Sequence, residues 1–266
     1  MSCLDTQTAL VTGGSQGIGC GVALELASAG ADIVITHLET PEDRDKAQRV
    51  THEIQRRGRR AFAVVMDVAD RASIKSGLSD ALGQLGRIDI LVNNAGVMQR
   101  GAGIETRSED FERCYSVNLT GMWNTTQELL PHLRLRGGGK IINISSTAGR
   151  RGQPDTPAYC ASKAAAISLT QSLAASLGPY GINVNAVCPG LVLTPMSRQW
   201  VNLVHKPGAD AASSTEECFE AVRVALPLRR HVTVEDVGNA VVFLASSRAK
   251  SITGQALNVD GGYTMS

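Results

Sequence analysis

Short apolar runs alternate with longer polar or alanine-rich stretches from one end of the chain to the other, and this rhythm restricts the fold more than any other feature. Thr8-Ala-Leu-Val-Thr12, Asp32-Ile-Val-Ile-Thr36, Ala61-Phe-Ala-Val-Val-Met66, Ile88-Asp-Ile-Leu-Val92, Lys140-Ile-Ile-Asn-Ile144, Ile182-Asn-Val-Asn-Ala-Val187 and Ala256-Leu-Asn-Val259 read as strands. Runs without polar alternation are covered on both faces, as in parallel sheets. Helices are predicted over about 17–29, 41–57, 71–85, 108–135 and 157–178. Thr156-Pro157 supplies a cap and a first-turn proline for the last of these. Strand and helix in alternation give an α/β, doubly wound sheet with helices on both faces and ligands at the carboxyl ends of the strands.

With 266 residues and neither a linker nor an internal repeat, a single domain over 1–266 is expected. The irregular stretch is about 195–228, with Gly208, several alanines and paired serines. It is expected to be a mobile pair of helices that forms a substrate lid.

The formal net charge of +1 argues against nucleic acid or an acidic membrane as a partner. No apolar run approaches the roughly 20 residues of a membrane span. The first apolar run, Ala9 to Val11, is too short for a signal peptide, so a cytoplasmic location is expected. Cysteines stand at 3, 20, 114, 160, 188 and 218 with no C-x-x-C pair and no histidine cluster, which argues against bound metal or a disulfide framework. Cys160 beside Tyr159 reads as helical filler rather than a nucleophile.

Two places carry chemistry. Thr12-Gly-Gly-Ser-Gln-Gly-Ile-Gly19 follows the first strand and opens a helix. Glycines permit a tight turn and close approach of a phosphate, and the helix start offers free N–H groups and partial positive charge to it. Farther on, Tyr159 and Lys163 are one helical turn apart and share a face, with Ser146 upstream at the end of the fifth strand. A phenol is a poor base at neutral pH, and a neighbouring ammonium is expected to lower its pKa. With a hydroxyl alongside, this is acid–base equipment for an alcohol or a carbonyl. Ser145 competes with Ser146 for that role; alternation at the strand end favours Ser146.

Thr12-Gly13-x-x-x-Gly17-x-Gly19, Asn93-Asn-Ala-Gly96, Asn118, Ser146, Tyr159 with Lys163, Pro189-Gly190 and the Asp260-Gly-Gly ending together resemble a short-chain dehydrogenase/reductase of the single-domain type, over essentially the whole chain. The resemblance implies a Rossmann-type seven-stranded parallel sheet, a nicotinamide cofactor (NADP or NAD) and a homotetramer. It implies a catalytic set of Asn118, Ser146, Tyr159 and Lys163, with Asn118 holding a water relay. Cofactor contacts are implied at Gly13, Gln16, Gly17, Ile18, Gly19, His37, Asp67, Val68, Asn94, Ala95, Gly96, Tyr159, Lys163, Pro189, Gly190, Val192 and Thr194. Asn93–Gly96 is expected to serve both the sheet centre and the cofactor.

An acidic residue ending the second strand would bind a ribose 2′-hydroxyl and repel a 2′-phosphate. Here that position is His37, and Arg44 follows in reach of the loop, which leans the choice toward NADP. The implied reaction interconverts a secondary alcohol and a ketone. Ser146, Gln153 and Tyr159 are the expected substrate contacts. Arg150, Arg151, Gln153 and Asp155, with Trp200 and His205 in the later insert, suggest a polyol, sugar or small hydroxy-ketone. The alternative is a 3-oxoacyl-carrier-protein reductase, for which Arg134 and Arg136 offer a basic patch. A dinucleotide-binding sensor without turnover is disfavoured by the intact catalytic set. The helices at 108–135 and 157–178 are expected to pair across a two-fold axis, where Ala164-Ala-Ala166 permits close packing.

Overall fold

A computed structural model describes residues 3–99, 103–204 and 215–265. The chain runs β1 (Thr8–Val11), α1 (Gly17–Ser28), β2 (Asp32–His37), α2 (Pro41–Arg56), β3 (Ala61–Val65), α3 (Arg71–Leu85), β4 (Ile90–Asn93) and α4 (Ser108–Tyr115). It continues through α5 (Met122–Leu135), β5 (Gly139–Ile144), α6 (Pro157–Leu177), β6 (Ile182–Pro189), α7 (Pro195–Val204), α8 (Thr215–Ala225), α9 (Val234–Ala245) and β7 (Ala256–Val259).

All seven strands form one parallel sheet in the order β3-β2-β1-β4-β5-β6-β7. The strand order reverses between β1 and β4, where Ala9, Leu10 and Val11 lie opposite Ile90, Leu91 and Val92. A crevice opens above the carboxyl ends at that point, because the crossovers leave it toward opposite faces.

Two apolar layers hold the sheet. One packs α1, α2 and α9 on one face through Val22, Leu26, Ile54, Val237 and Val241. The other packs α3, α5 and α6 on the opposite face through Ile74, Leu78, Leu129, Leu133 and Leu173. Ile33, Ile35, Leu10 and Leu91 are completely buried between them, and each such side chain contributes roughly 1.5–3 kcal/mol.

Two departures from the sequence reading concern helices. The single helix expected over 108–135 is interrupted by a π-helical segment, Ser116–Gly121. Such π turns inside α-helices are rare and frequently fall at functional sites; here the segment carries Asn118. The second departure is α9, which was not anticipated. Its start is fixed by a capping box in which Thr233 and Asp236 exchange side-chain-to-backbone bonds.

The region at 195–228 contains two helices, α7 and α8, joined by an Arg198–Glu216 ion pair at 3.1 Å. Gly208, the paired serines and His205 lie outside the described residues. Among the described residues, no helix is long and apolar enough to cross a membrane.

Candidate active site

The crevice above the switch point is a cleft of about 630 Å³. Gly13, Gln16, Gly17, Ile18 and Gly19 line it from the β1–α1 turn, and His37 from the end of β2. Asp67 and Val68 join after β3, and Asn94, Ala95 and Gly96 after β4. Ser146, Tyr159, Lys163, Pro189, Gly190 and Thr194 complete it from the β5, α6 and β6 side. The fold thus brings most of the expected residues to one place, although they run from Gly13 to Thr194.

The glycine turn is shaped by the strand beside it. Gly13 adopts φ +61°, and a Cβ on Gly19 would lie 2.4 Å from both Asn94 Nδ2 and the Gly13 carbonyl oxygen. Asn94 Nδ2 donates to the carbonyls of Thr12 (2.9 Å) and Gly13 (3.1 Å). The Thr12 hydroxyl accepts from the backbone N–H groups of Asn94 and Ala95. These bonds fix the turn to the β4 end, which is the structural part of the dual role expected of Asn93–Gly96. Asn93 itself is buried and donates to Thr126 and Asn143.

The helix that follows begins at Gln16 with no side-chain cap. Its first-turn N–H groups are therefore open toward the cleft, a donor set suited to a pyrophosphate.

At the other end of the cleft, Lys163 is buried and Nζ donates to the Ile144 carbonyl at 2.8 Å. It lies 5.6 Å from the centre of the Tyr159 ring. A Cβ on Gly96 would sit 3.5 Å from Nζ and 3.3 Å from Asn118 Oδ1, so both groups crowd that glycine. The two serines divide their tasks. Ser145 is buried and donates to the Lys163 carbonyl at 2.7 Å, which ties β5 to α6. Ser146 only accepts an N–H from Ala148 at 3.1 Å, so its hydroxyl proton remains available toward Tyr159 and the cleft.

The expected lowering of the Tyr159 pKa by Lys163 is not what this arrangement produces. Burial pushes the Tyr159 phenol up to about 12, with a contact to Ser146 pulling the other way. Burial also pushes Lys163 down to about 8. Desolvation disfavours the charged form of each group and outweighs their attraction at this separation.

Asn118 is anchored to the loop after β4. Its side chain is fully engaged: Oδ1 accepts from the Val97 N–H at 2.8 Å, and Nδ2 donates to the Val97 carbonyl and to Ser162 Oγ, each at 2.9 Å. The π segment turns this amide onto the loop after β4, so only its backbone remains for a water.

Val192 and Gln153 are not brought to the cleft lining. Val192 pairs with Val232 in an isolated parallel bridge, and its side chain joins the apolar layer below. Gln153 accepts from the Thr156 hydroxyl at 3.2 Å. Arg150 is directed away from the cleft and donates to the Ala256 carbonyl on β7. Arg151 is exposed, 5.6 Å from the Tyr263 ring centre. Arg44 is exposed on α2 and does not line the cleft. Arg134 stacks on Tyr180, and Arg136 pairs with Asp89; both therefore lie at the amino end of the sheet, opposite the cleft.

The sequence reading missed Asp43, which lines the cleft near His37 and accepts from Thr40 at the start of α2. A carboxylate in the third helical position after a threonine cap was the available signal. It also missed Gln99, which is buried behind Tyr159.

Comparison with known proteins agrees with this geometry. A family described as enoyl-(acyl carrier protein) reductase matches residues 13–264. The 3-oxoacyl-[acyl-carrier-protein] reductase FabG of Staphylococcus aureus is 37% identical over 260 residues, covering 98% of this chain and 99% of that protein. The oxidoreductase UcpA of Salmonella typhimurium is 38% identical over 266 residues, 100% of this chain and 97% of its own. The crystal structure of a 3-ketoacyl-(acyl-carrier-protein) reductase from Brucella melitensis, complexed with NADH, superposes with a TM-score of 0.85 at 32% identity, covering 98% of this chain and 100% of that one. The chain belongs to the short-chain dehydrogenase/reductase family. It is a single-domain NAD(P)-dependent enzyme of that family, acting on CH–OH and C=O groups.

Proposed function

We propose that this enzyme reduces the 3-keto group of an acyl thioester to a secondary alcohol. The observation that carries the chemistry is the meeting of Ser146, Tyr159 and Lys163 at one end of a cleft whose other end is the uncapped start of α1. The thioester is supported by the full-length likeness to 3-oxoacyl-carrier-protein reductases. The polyol or sugar reading has less support: of the residues that suggested it, Gln153 and Arg150 do not line the cleft, and His205 lies outside the described residues.

The residues suit a nicotinamide dinucleotide. The first-turn amides of α1 would take the pyrophosphate, Asp67 and Val68 the adenine, and Gly190 and Thr194 the nicotinamide end. When bound, the cofactor supplies a hydride. Tyr159 gives its phenolic proton to the oxygen that becomes the alkoxide, for which a phenol that stays protonated at neutral pH is well suited. Ser146 donates a hydrogen bond to the same oxygen, and that bond strengthens as charge develops. Lys163 supplies positive charge close by, where burial keeps it poorly screened. Asn118 holds the Val97 backbone beneath them. Thr194 caps α7 through Ser197 and also lines the cleft, so it joins the cofactor site to the α7–α8 pair expected to act as a lid.

Two finer points belong to the same reading. Asp43 places negative charge by the end of β2, which weighs toward NAD and against the leaning to NADP drawn from His37. Assembly into a tetramer would cover Phe111 on α4 and Trp123 on α5, which are 40% and 42% exposed. A monomer by light scattering would overturn the assembly.

The test is a panel of acetoacetyl-coenzyme A, acetoin, sugars and polyols with NADH and NADPH, read by nicotinamide absorbance. Acetoacetyl-coenzyme A is expected to give the highest kcat/KM; a higher value for any polyol or sugar would refute the substrate class. Tyr159→Phe is expected to bind cofactor normally and to lose turnover, and retained turnover would remove Tyr159 from the mechanism.

A further inference from the structure

The amino end of α6 lacks a cap of its own. Thr156 makes no side-chain capping bond; its hydroxyl donates to Gln153 and contacts the Cys160 sulfur at 3.6 Å. The orphan N–H in the third helical position is that of Tyr159, and buried N–H groups require a partner. The partner arrives from 60 residues away: Gln99 Oε1 accepts from the Tyr159 N–H at 3.1 Å. Gln99 is 1% exposed, and its Nε2 donates to the Asp155 carbonyl at 3.2 Å. That carbonyl also accepts from the Gly103 N–H at 3.0 Å.

The other backbone group of Tyr159 is held from the same loop. Its carbonyl accepts from Ser162 Oγ at 2.8 Å, and Ser162 accepts from Asn118, the residue that grips Val97 on both its N–H and its carbonyl. Within three residues, the segment after β4 is therefore bonded directly to the Tyr159 amide and indirectly to its carbonyl. No contact of Gln99 reaches the cleft, so its effect passes through the tyrosine backbone.

We infer that Gln99 is a positioning residue: it caps α6 in trans and sets the depth at which the Tyr159 phenol meets the substrate oxygen. This rests on the proposed role of Tyr159 as proton donor. An amide is the side chain that satisfies both neighbours at once, because one end must accept an N–H and the other must donate to a carbonyl. Gln99→Met keeps length and apolar volume and removes both bonds. Gln99→Glu keeps the acceptor for Tyr159.

Both variants are assayed with whichever compound of the panel the wild type reduces fastest. Cofactor affinity, thermal midpoint and hydrogen exchange of the Tyr159 amide are measured alongside. Gln99→Met is expected to lose about ten- to hundredfold in kcat, the scale of a small misplacement at a reacting centre. Its cofactor affinity stays within about twofold, and its Tyr159 amide exchanges faster. Gln99→Glu is expected to recover most of the rate. A Gln99→Met enzyme with wild-type kcat, in a protein that Tyr159→Phe inactivates, would overturn the inference. If Tyr159→Phe instead stays active, the failure belongs to the proposed mechanism. Amide exchange then decides the cap alone, and an unchanged rate in Gln99→Met refutes it. If Gln99→Met does not fold, Gln99→Asn, whose shorter side chain withdraws the acceptor from the Tyr159 N–H, carries the same exchange test.

Discussion

Replacing Lys163 by methionine should separate catalytic value from stability cost. The ammonium is buried and its pKa is pushed from 10.5 to about 8. At roughly 1.4 kcal/mol per unit, keeping it charged in the folded state costs about 3 kcal/mol at neutral pH. Below pH 8 the group is charged in both states and the cost is complete. Between pH 8 and 10.5 the folded protein has released the proton while the unfolded chain still holds it, so stability rises with pH across that window. Above it both are neutral and the cost is gone. Methionine fills nearly the same space and has nothing to titrate. It leaves the Ile144 carbonyl without its donor, a loss of about 1–3 kcal/mol. At pH 7 the variant should therefore match the wild type or exceed it slightly in urea unfolding at fixed protein concentration. By pH 10 it should have lost about 2–3 kcal/mol relative to the wild type, and turnover should be absent throughout. A stability difference that does not change between pH 7 and pH 10 would refute the claim that Lys163 is held charged at a desolvation cost.

Gly19→Ala should destabilise the protein by about 1–3 kcal/mol and weaken cofactor binding, because the added carbon meets Asn94 and the Gly13 carbonyl at 2.4 Å; an unchanged thermal midpoint would show that the turn can give way. Asp43→Asn should raise the NADPH-to-NADH ratio of kcat/KM by about three- to tenfold by removing a negative charge from that end of the cleft, and an unchanged ratio would clear Asp43 of discrimination. In a spectrophotometric titration of the protein alone, Tyr159 should form phenolate only near pH 12. Its folded pKa lies above the ordinary 10, so the stability it contributes is present below pH 10 and is lost as pH rises toward 12; Tyr159→Phe should abolish that component of alkaline destabilisation, and ionisation near pH 10 would contradict the burial argument.

Local rules made much of this protein legible in its sequence. Strand positions, the doubly wound class, the glycine turn and the Tyr159–Lys163 face follow from apolar runs, turn residues and helical spacing. These depend on neighbours a few residues apart, and the matching strands and helices formed where those signals were strong. Three-dimensional packing decided the rest. Burial, not the attraction between Tyr159 and Lys163, sets the direction of both pKa values, and burial is a property of everything packed around them. The π segment that directs Asn118 onto Val97, the outward course of Arg150 to β7, the loss of Val192 to the core and the service of Gln99 as a cap for a helix 60 residues away all join distant parts of the chain. Sequence spacing specifies which groups share a helical face or a strand end. Which of those groups lose their water, and which distant amide completes their hydrogen bonds, is fixed only once the sheet has closed its helices over them.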